Sequence, residues 1–237
     1  MIETRRRGLL SLVAVLAIFG VALHGPLQVA AQDDPVGDSF DFNKLDGFQR
    51  GAGRTYMGDL SSLFGGLDTL GTPGAEIETP DVSELGLFMI GGFVVQFDNS
   101  DHASSSLDKI TDEMTQGSDD EDFTFSEKDI DKIGDKSKAY TGSYSDEGID
   151  GTAVAIIAQK GEYVYAVVAI SFGSDPTDDA TSFVKDMTDK KPGDGDGTFN
   201  ADGTSTGGLW DVFPASDADY LKGLAPMADV DLAQGTE

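Results

Sequence analysis

The residues with the clearest capacity for chemistry are oxygen donors in a glycine-rich stretch near the C-terminus. Asp194, Asp196, Asn200 and Asp202 follow one another at short intervals, with glycines between them. Calcium takes about six to eight oxygen ligands, and closely spaced Asp and Asn side chains on a flexible loop can supply them. These four residues are therefore a candidate calcium site, but their spacing does not fit an EF-hand loop. The sequence favours a flexible solvated linker at this segment.

Histidine, the most common general base in enzymes, is rare in this chain. Its two histidines are His24, which lies in an N-terminal export signal, and His102. A serine nucleophile needs a base within hydrogen-bond reach and a carboxylate that orients the base. Three serines follow His102 at residues 104–106. Side chains this close together at the start of a helix point in different directions, so these residues cannot form a serine–histidine–carboxylate relay among themselves. The sequence favours a protein without catalytic activity; the alternative is a secreted hydrolase that uses carboxylates or His102.

Residues 1–31 have the pattern of an export signal. Arginines precede the apolar run Leu9–Leu23, and small residues precede an expected cleavage after Ala31. The run is shorter than the roughly 20 residues that a membrane-spanning helix needs, although an uncleaved anchor is the alternative. Arg6-Arg7 also fits a twin-arginine signal. We expect a secreted or extracytoplasmic protein with no membrane span after signal removal.

The charge of the chain is strongly negative, −27 at pH 7. Residues 1–31 contribute +2, so the mature chain carries −29, with Arg50 and Arg54 as its only arginines. Such a charge excludes nucleic acid and anionic lipid as partners. Three interpretations remain: a solvated surface adapted to a salty medium, cation binding at particular aspartates, and docking to a basic extracellular protein.

Cysteine is absent from the sequence. Its absence excludes disulfides, thiolate metal sites and a lipid-bearing cysteine at the signal boundary. A secreted domain without disulfides depends on its hydrophobic core, and roughly 200 residues are enough to build one.

Hydrophobic periodicity predicts the order strand, helix, strands, hairpin and helix. Apolar stripes indicate two amphipathic helices at 101–116 and 176–191. Pro176 and the acidic Asp178 and Asp179 are typical of a helix N-terminus. Alternating or β-branched runs indicate strands near residues 48–57, 87–97, 122–127, 137–144, 152–158 and 163–172. The pattern favours an α+β fold, an antiparallel sheet of about five or six strands with the two helices packed on one face.

The composition divides the chain into five parts. Residues 1–31 are the signal, and 32–86 form an N-terminal segment with a linker and a possible first strand. Residues 87–192 form the α+β core domain, 193–208 a Gly/Asp/Thr linker, and 209–237 a C-terminal tail. The sequence thus predicts one folded domain with an appendage on each side.

One stretch resembles a known family. The segments FDNSDHASSSLDKI, IGDKSKAY, GEYVYAVVAISF and DPTDDATSFVKDM, within residues 97–192, resemble secreted bacterial α+β domains of the PsbP photosystem and LpqN-type lipoprotein kind. The resemblance implies a non-catalytic extracytoplasmic domain and carries no functional residue across. The chain departs from the LpqN type because it lacks the lipid-bearing cysteine. We therefore expect a secreted, acidic, non-catalytic binding or structural module.

Overall fold

The computed structural model describes residues 42–58, 86–116, 125–146, 149–199 and 205–232. The signal predicted at 1–31 lies outside the described residues, as do Asn200 and Asp202 of the predicted calcium site. No helix of the described ranges is long and apolar enough to cross a membrane.

Strands and two α-helices alternate along the described chain. The strands are β1 (Phe48–Met57), β2 (Gly86–Phe97), β3 (Ser126–Glu127), β4 (Lys136–Asp146), β5 (Ile149–Lys160), β6 (Tyr163–Phe172), β7 (Thr198–Phe199), β8 (Ser205–Thr206) and β9 (Ala225–Asp231). Helix α1 covers Ser100–Gln116 and α2 covers Thr177–Asp189. Short 3-10 turns lie at Phe42–Lys44, Gly208–Val212 and Asp219–Leu221. The α+β class predicted from the sequence is confirmed.

Seven strands form one antiparallel sheet in the order β3-β4-β5-β6-β2-β1-β9, and β7 pairs with β8 separately. The expected count of five or six strands is therefore too low. The strand missing from the prediction is β9, which pairs with β1. Its signal is weak because Pro226 and an adjacent irregularity in register, opposite Thr55 and Tyr56, interrupt the alternation of side chains.

The two helices lie on opposite faces of the sheet, so the expectation that both cover one face is wrong. Alternate residues of β6 point to opposite faces. Val164 and Ala166 belong to the core that includes α1, whereas Tyr165 and Val167 belong to the core that includes α2. Because both sets are buried and apolar, each face of the central strands needs its own cover.

Helix α1 is fixed at its start and along its apolar stripe. The side-chain Oδ1 of Asn99 accepts hydrogen bonds from the backbone N–H groups of Asp101 and His102, both at 2.9 Å. This N-cap satisfies two groups that have no partner inside the helix. Leu107 and Ile110 are buried against the sheet, and burial of each side chain contributes about 1.5–3 kcal/mol relative to exposure.

The second face is covered by α2 together with C-terminal residues. Phe183 of α2 shares its core with Trp210 and Phe213, all buried. The hydroxyl of Tyr56 on β1 donates to the carbonyl of Pro214 at 2.6 Å. The folded unit therefore includes β1 and residues from the C-terminal part of the chain, beyond the 87–192 core predicted from the sequence.

Candidate functional site

The Gly/Asp/Thr segment contains a short two-stranded ribbon in its described part. Strand β7 pairs with β8, with Thr198 opposite Thr206. At its base the N–H of Gly193 donates to the carbonyl of Gly208 at 2.8 Å. We call residues 193–199 and 205–208 the Gly/Asp ribbon. The ribbon carries two of the four predicted calcium ligands.

These two predicted ligands, Asp194 and Asp196, are exposed. The other two, Asn200 and Asp202, lie outside the described residues, so the structure does not test whether the four side chains converge. Among the residues described, no three His, Cys, Asp or Glu side chains are grouped so that they could hold a metal ion. Calcium binding at this segment stays a prediction.

The part of the ribbon that precedes β7 contacts Arg50 of β1. The Nη1 of Arg50 donates to the carbonyl of Gly195 and lies 3.9 Å from the Oδ1 of Asp196. Its Nε donates to the Oε1 of Gln96 on the neighbouring strand at 2.7 Å. The Gln96 side chain therefore orients the guanidinium toward the ribbon.

Strand β8 of the ribbon contacts Arg54, which lies on the same face of β1 as Arg50 because the two residues are four positions apart. The Nη2 of Arg54 donates to the carbonyl of Ser205 at 2.7 Å. Two further bonds of 2.6 Å join its Nε and Nη2 to the carboxylate of Asp229 on β9. The guanidinium also lies over the ring of Phe213, 5.5 Å from its centroid.

The environment of Arg54 stabilises the protonated, positively charged form of its guanidinium. Burial lowers the pKa of the guanidinium, but the hydrogen bond and the charge of Asp229 outweigh burial and raise that pKa above its ordinary value. Only 15% of the Arg54 side chain and 2% of the Asp229 side chain are exposed. This is a paired, partly buried charge with a structural role.

His102 lies in the first turn of α1, close to Gly47 in the turn that precedes β1. Its Nδ1 lies 2.6 Å from the Oδ1 of Asp98 and 3.1 Å from the Nδ2 of Asn99. The nearby hydroxyl of Ser105 donates to the backbone carbonyl of His102 at 3.0 Å and not to the imidazole. The described contacts thus join His102 to a carboxylate and an amide, without a serine nucleophile.

Several lysines are paired with aspartates at the surface. Asp108 on α1 lies 2.8 Å from the Nζ of Lys136 and 3.0 Å from that of Lys138. Hydrogen bonds from these two lysines hold the pKa of Asp108 below its ordinary value. Lys128 pairs in the same way with Asp175, at 2.8 Å. These lysines neutralise neighbouring aspartates in a chain that is acidic overall.

Arg50 and Arg54 are the only arginines after residue 31, yet no sequence motif predicts a function for them. The signal that could have drawn attention to them is their rarity together with their spacing. Residues four apart on a strand share a face, and an acidic chain with two arginines on one strand face has a local concentration of positive charge. What sequence alone could not supply is the partner, because the ribbon is far from β1 along the chain.

Comparison with known proteins assigns no family. No protein-family model matches the chain, and no curated protein matches it. Among solved structures, the chain is similar to the extracellular domain of PknH from Mycobacterium tuberculosis, with 16% identity and a TM-score of 0.32. The match covers 62% of this chain and 87% of that one. The PsbP and LpqN resemblance stays a prediction.

Proposed function

We propose that this protein is an exported, non-catalytic module that acts outside the cytoplasmic membrane as a binding or structural unit. The observation that carries the proposal is the N-terminal pattern of arginines, apolar run and small residues that ends at Ala31. The polar contacts of the folded part support it. Arg54 and His102, two of its least common side chains, lie in contacts that join elements of the fold.

Export is tested with the full chain in a bacterial host. We expect the chain to be recovered outside the cytoplasm with a mass that corresponds to a start at Gln32. A matched variant in which Leu12 and Leu16 are replaced by Arg interrupts the apolar run. It should stay inside the cell at full mass. Equal export of both chains would overturn the role of this segment.

The hydrolase alternative is tested with a substrate panel of esters, glycosides and peptides. The proposal expects no turnover above that of a control protein. If turnover is found, His102→Ala and His102→Gln separate the two forms of the alternative. Loss of activity in both variants would assign His102 as the base, and unchanged activity would direct attention to carboxylate pairs.

The calcium alternative has its own test, because it does not require enzymatic activity. Calorimetric titration of the metal-free protein should show saturable calcium binding if Asp194 and Asp196 contribute ligands. The double variant Asp194→Asn with Asp196→Asn removes two charged ligands at little change in shape. Equal heats of binding in both proteins would remove these residues from consideration.

A further inference from the structure

The Gly/Asp ribbon is too small to hold its own conformation. In its described part, β7 and β8 have two residues each. An isolated two-stranded hairpin is marginal in water even when it is longer. Contacts with the rest of the fold must therefore fix the ribbon.

Arg50 supplies the contact that an ion would otherwise make. Its guanidinium binds the carbonyl oxygen of Gly195 and lies 3.9 Å from the carboxylate of Asp196. Carbonyl and carboxylate oxygens are the ligand types that calcium takes from a loop. The guanidinium is itself held by Gln96 at 2.7 Å, and only 23% of the Arg50 side chain is exposed. The positive charge near the ribbon is thus covalently part of β1 and oriented in advance.

The remaining contacts of the ribbon agree with a fixed position. Arg54 binds the carbonyl of Ser205 on the opposite strand at 2.7 Å. The chain at Gly197 runs so close to the indole of Trp210 that a Cβ there would lie 2.7 Å from its Cε3. Trp210 is only 4% exposed. The two arginines and the indole therefore contact the ribbon from the side of the sheet.

We propose that Arg50 is a positioning residue that acts as the built-in counter-ion of the Gly/Asp ribbon and holds it on the sheet without a metal ion. The inference rests on the contacts of Arg50 and does not depend on the function proposed above. It makes the ribbon a fixed projection of the fold, the kind of rigidly supported loop on which binding residues are commonly placed. This role of Arg50 also argues against the calcium alternative, because Arg50 and a bound calcium ion cannot both be the main contact that fixes the ribbon.

The single tryptophan of the chain gives a direct readout. Because the ribbon lies against Trp210, its release should expose the indole to acrylamide, a neutral quencher whose access does not depend on protein charge. We would measure fluorescence quenching of the full chain in EDTA and in calcium chloride at equal ionic strength. The variant is Arg50→Met, and the charge-matched control is Lys185→Met on the exposed side of α2.

We expect a quenching constant at least about twofold higher in Arg50→Met than in wild type. Release of the ribbon is a local opening that requires less free energy than global unfolding, so it should expose the indole while the rest of the fold stays intact. Lys185→Met should match wild type, and calcium should change neither wild type nor control. Equal quenching of wild type and Arg50→Met would overturn the proposal. Lower quenching of wild type in calcium than in EDTA would overturn it as well.

A second measurement covers the case in which Arg50→Met does not fold. In the wild-type chain, the N–H of Gly193 bonds to the carbonyl of Gly208. Amide hydrogen exchange in EDTA should show this N–H protected. Protection that arises only after calcium is added would contradict a built-in counter-ion.

Discussion

Arg54 on β1 and Asp229 on β9 are joined by two hydrogen bonds of 2.6 Å. These are the last two strands at one edge of the sheet, and only 2% of the Asp229 side chain is exposed. The two residues are opposite each other in the β1–β9 register. A bidentate arginine–carboxylate pair fixes geometry as well as charge. We therefore expect this pair to decide whether β9 stays on the sheet.

Breaking the pair from either side should strongly destabilise the fold. Removing one partner of a fully buried ion pair leaves the other charge unpaired, which typically costs about 3–5 kcal/mol. The Arg54–Asp229 pair is partly buried, so Arg54→Met and Asp229→Asn should each lower the free energy of unfolding, measured by urea titration, by less than this figure but by more than the roughly 1 kcal/mol that an exposed pair contributes. The exposed pair of Lys222 and Asp219, 2.8 Å apart, is the control, and Lys222→Met should cost less than about 1 kcal/mol. Equal losses of stability at the two pairs would contradict the expectation that the Arg54–Asp229 pair holds β9 on the sheet.

The contributions of Asp108 and Asp179 to folding stability should change with pH in opposite directions. The pKa of Asp108 is lowered by hydrogen bonds from Lys136 and Lys138. Its contribution to stability is therefore present above the ordinary Asp pKa and is lost as the pH falls through the lowered value. The pKa of Asp179 is raised, first by burial and then by Asp178. Asp179 therefore destabilises the fold near neutral pH, and this penalty disappears as the pH falls.

Carboxylate-to-amide variants separate these two effects. At pH 7 we expect Asp108→Asn to melt below wild type and Asp179→Asn to melt above it. The difference at Asp179 should shrink first as the pH falls through its raised pKa, and the difference at Asp108 should shrink only at lower pH, as the pH falls through its lowered pKa. The measurement is the melting temperature across the pH range. Shifts of the same sign in the two variants would show that net charge, rather than these local contacts, controls the response.

Particular elements show how far the sequence alone can be taken. The hairpin of β5 and β6 and the two helices follow from periodicity and were predicted close to their observed bounds. The centres of β5 and β6, residues 153–158 and 164–170, are apolar at every position, which indicates burial on both faces of the sheet. The expectation that both helices cover one face overlooked this pattern. Strand β9 could not be predicted, because its order comes from pairing with the distant β1 and from Asp229 meeting Arg54.

Replacement of the glycine at the turn before β1 should destabilise the fold. Gly47 has φ of 75°, and a Cβ there would overlap both the Oδ1 of Asp98 and the Nδ1 of His102. Gly47→Ala should therefore combine backbone strain with loss of the Asp98–His102 contact. The control is Gly161→Ala, where φ is 60° but no atom lies within 4 Å. Strain alone costs roughly 1–2 kcal/mol, so Gly47→Ala should be clearly the more destabilising in urea titration.

One buried hydroxyl should be dispensable. The Oγ of Ser106 is buried in α1 and has no hydrogen-bond partner among the described residues. A buried polar group without a partner costs about 1–3 kcal/mol. Ser106→Ala should therefore raise the free energy of unfolding. Ser104→Ala, at a half-buried position of α1, controls for the higher helix propensity of alanine, worth up to about 0.7 kcal/mol. A loss of stability in Ser106→Ala would indicate a partner for this hydroxyl.

Salt should stabilise this protein even though it weakens the ion pairs. The surface pairs contribute little individually, each about 1 kcal/mol or less, whereas a net charge of −27 produces repulsion over the whole surface. Screening lengths fall from about 30 Å at 0.01 M salt to about 3 Å at 1 M, so added salt relieves the repulsion. We expect the melting temperature to rise smoothly with sodium or potassium chloride alike. A saturable rise specific to calcium at fixed ionic strength would instead assign the acidic residues to a binding site.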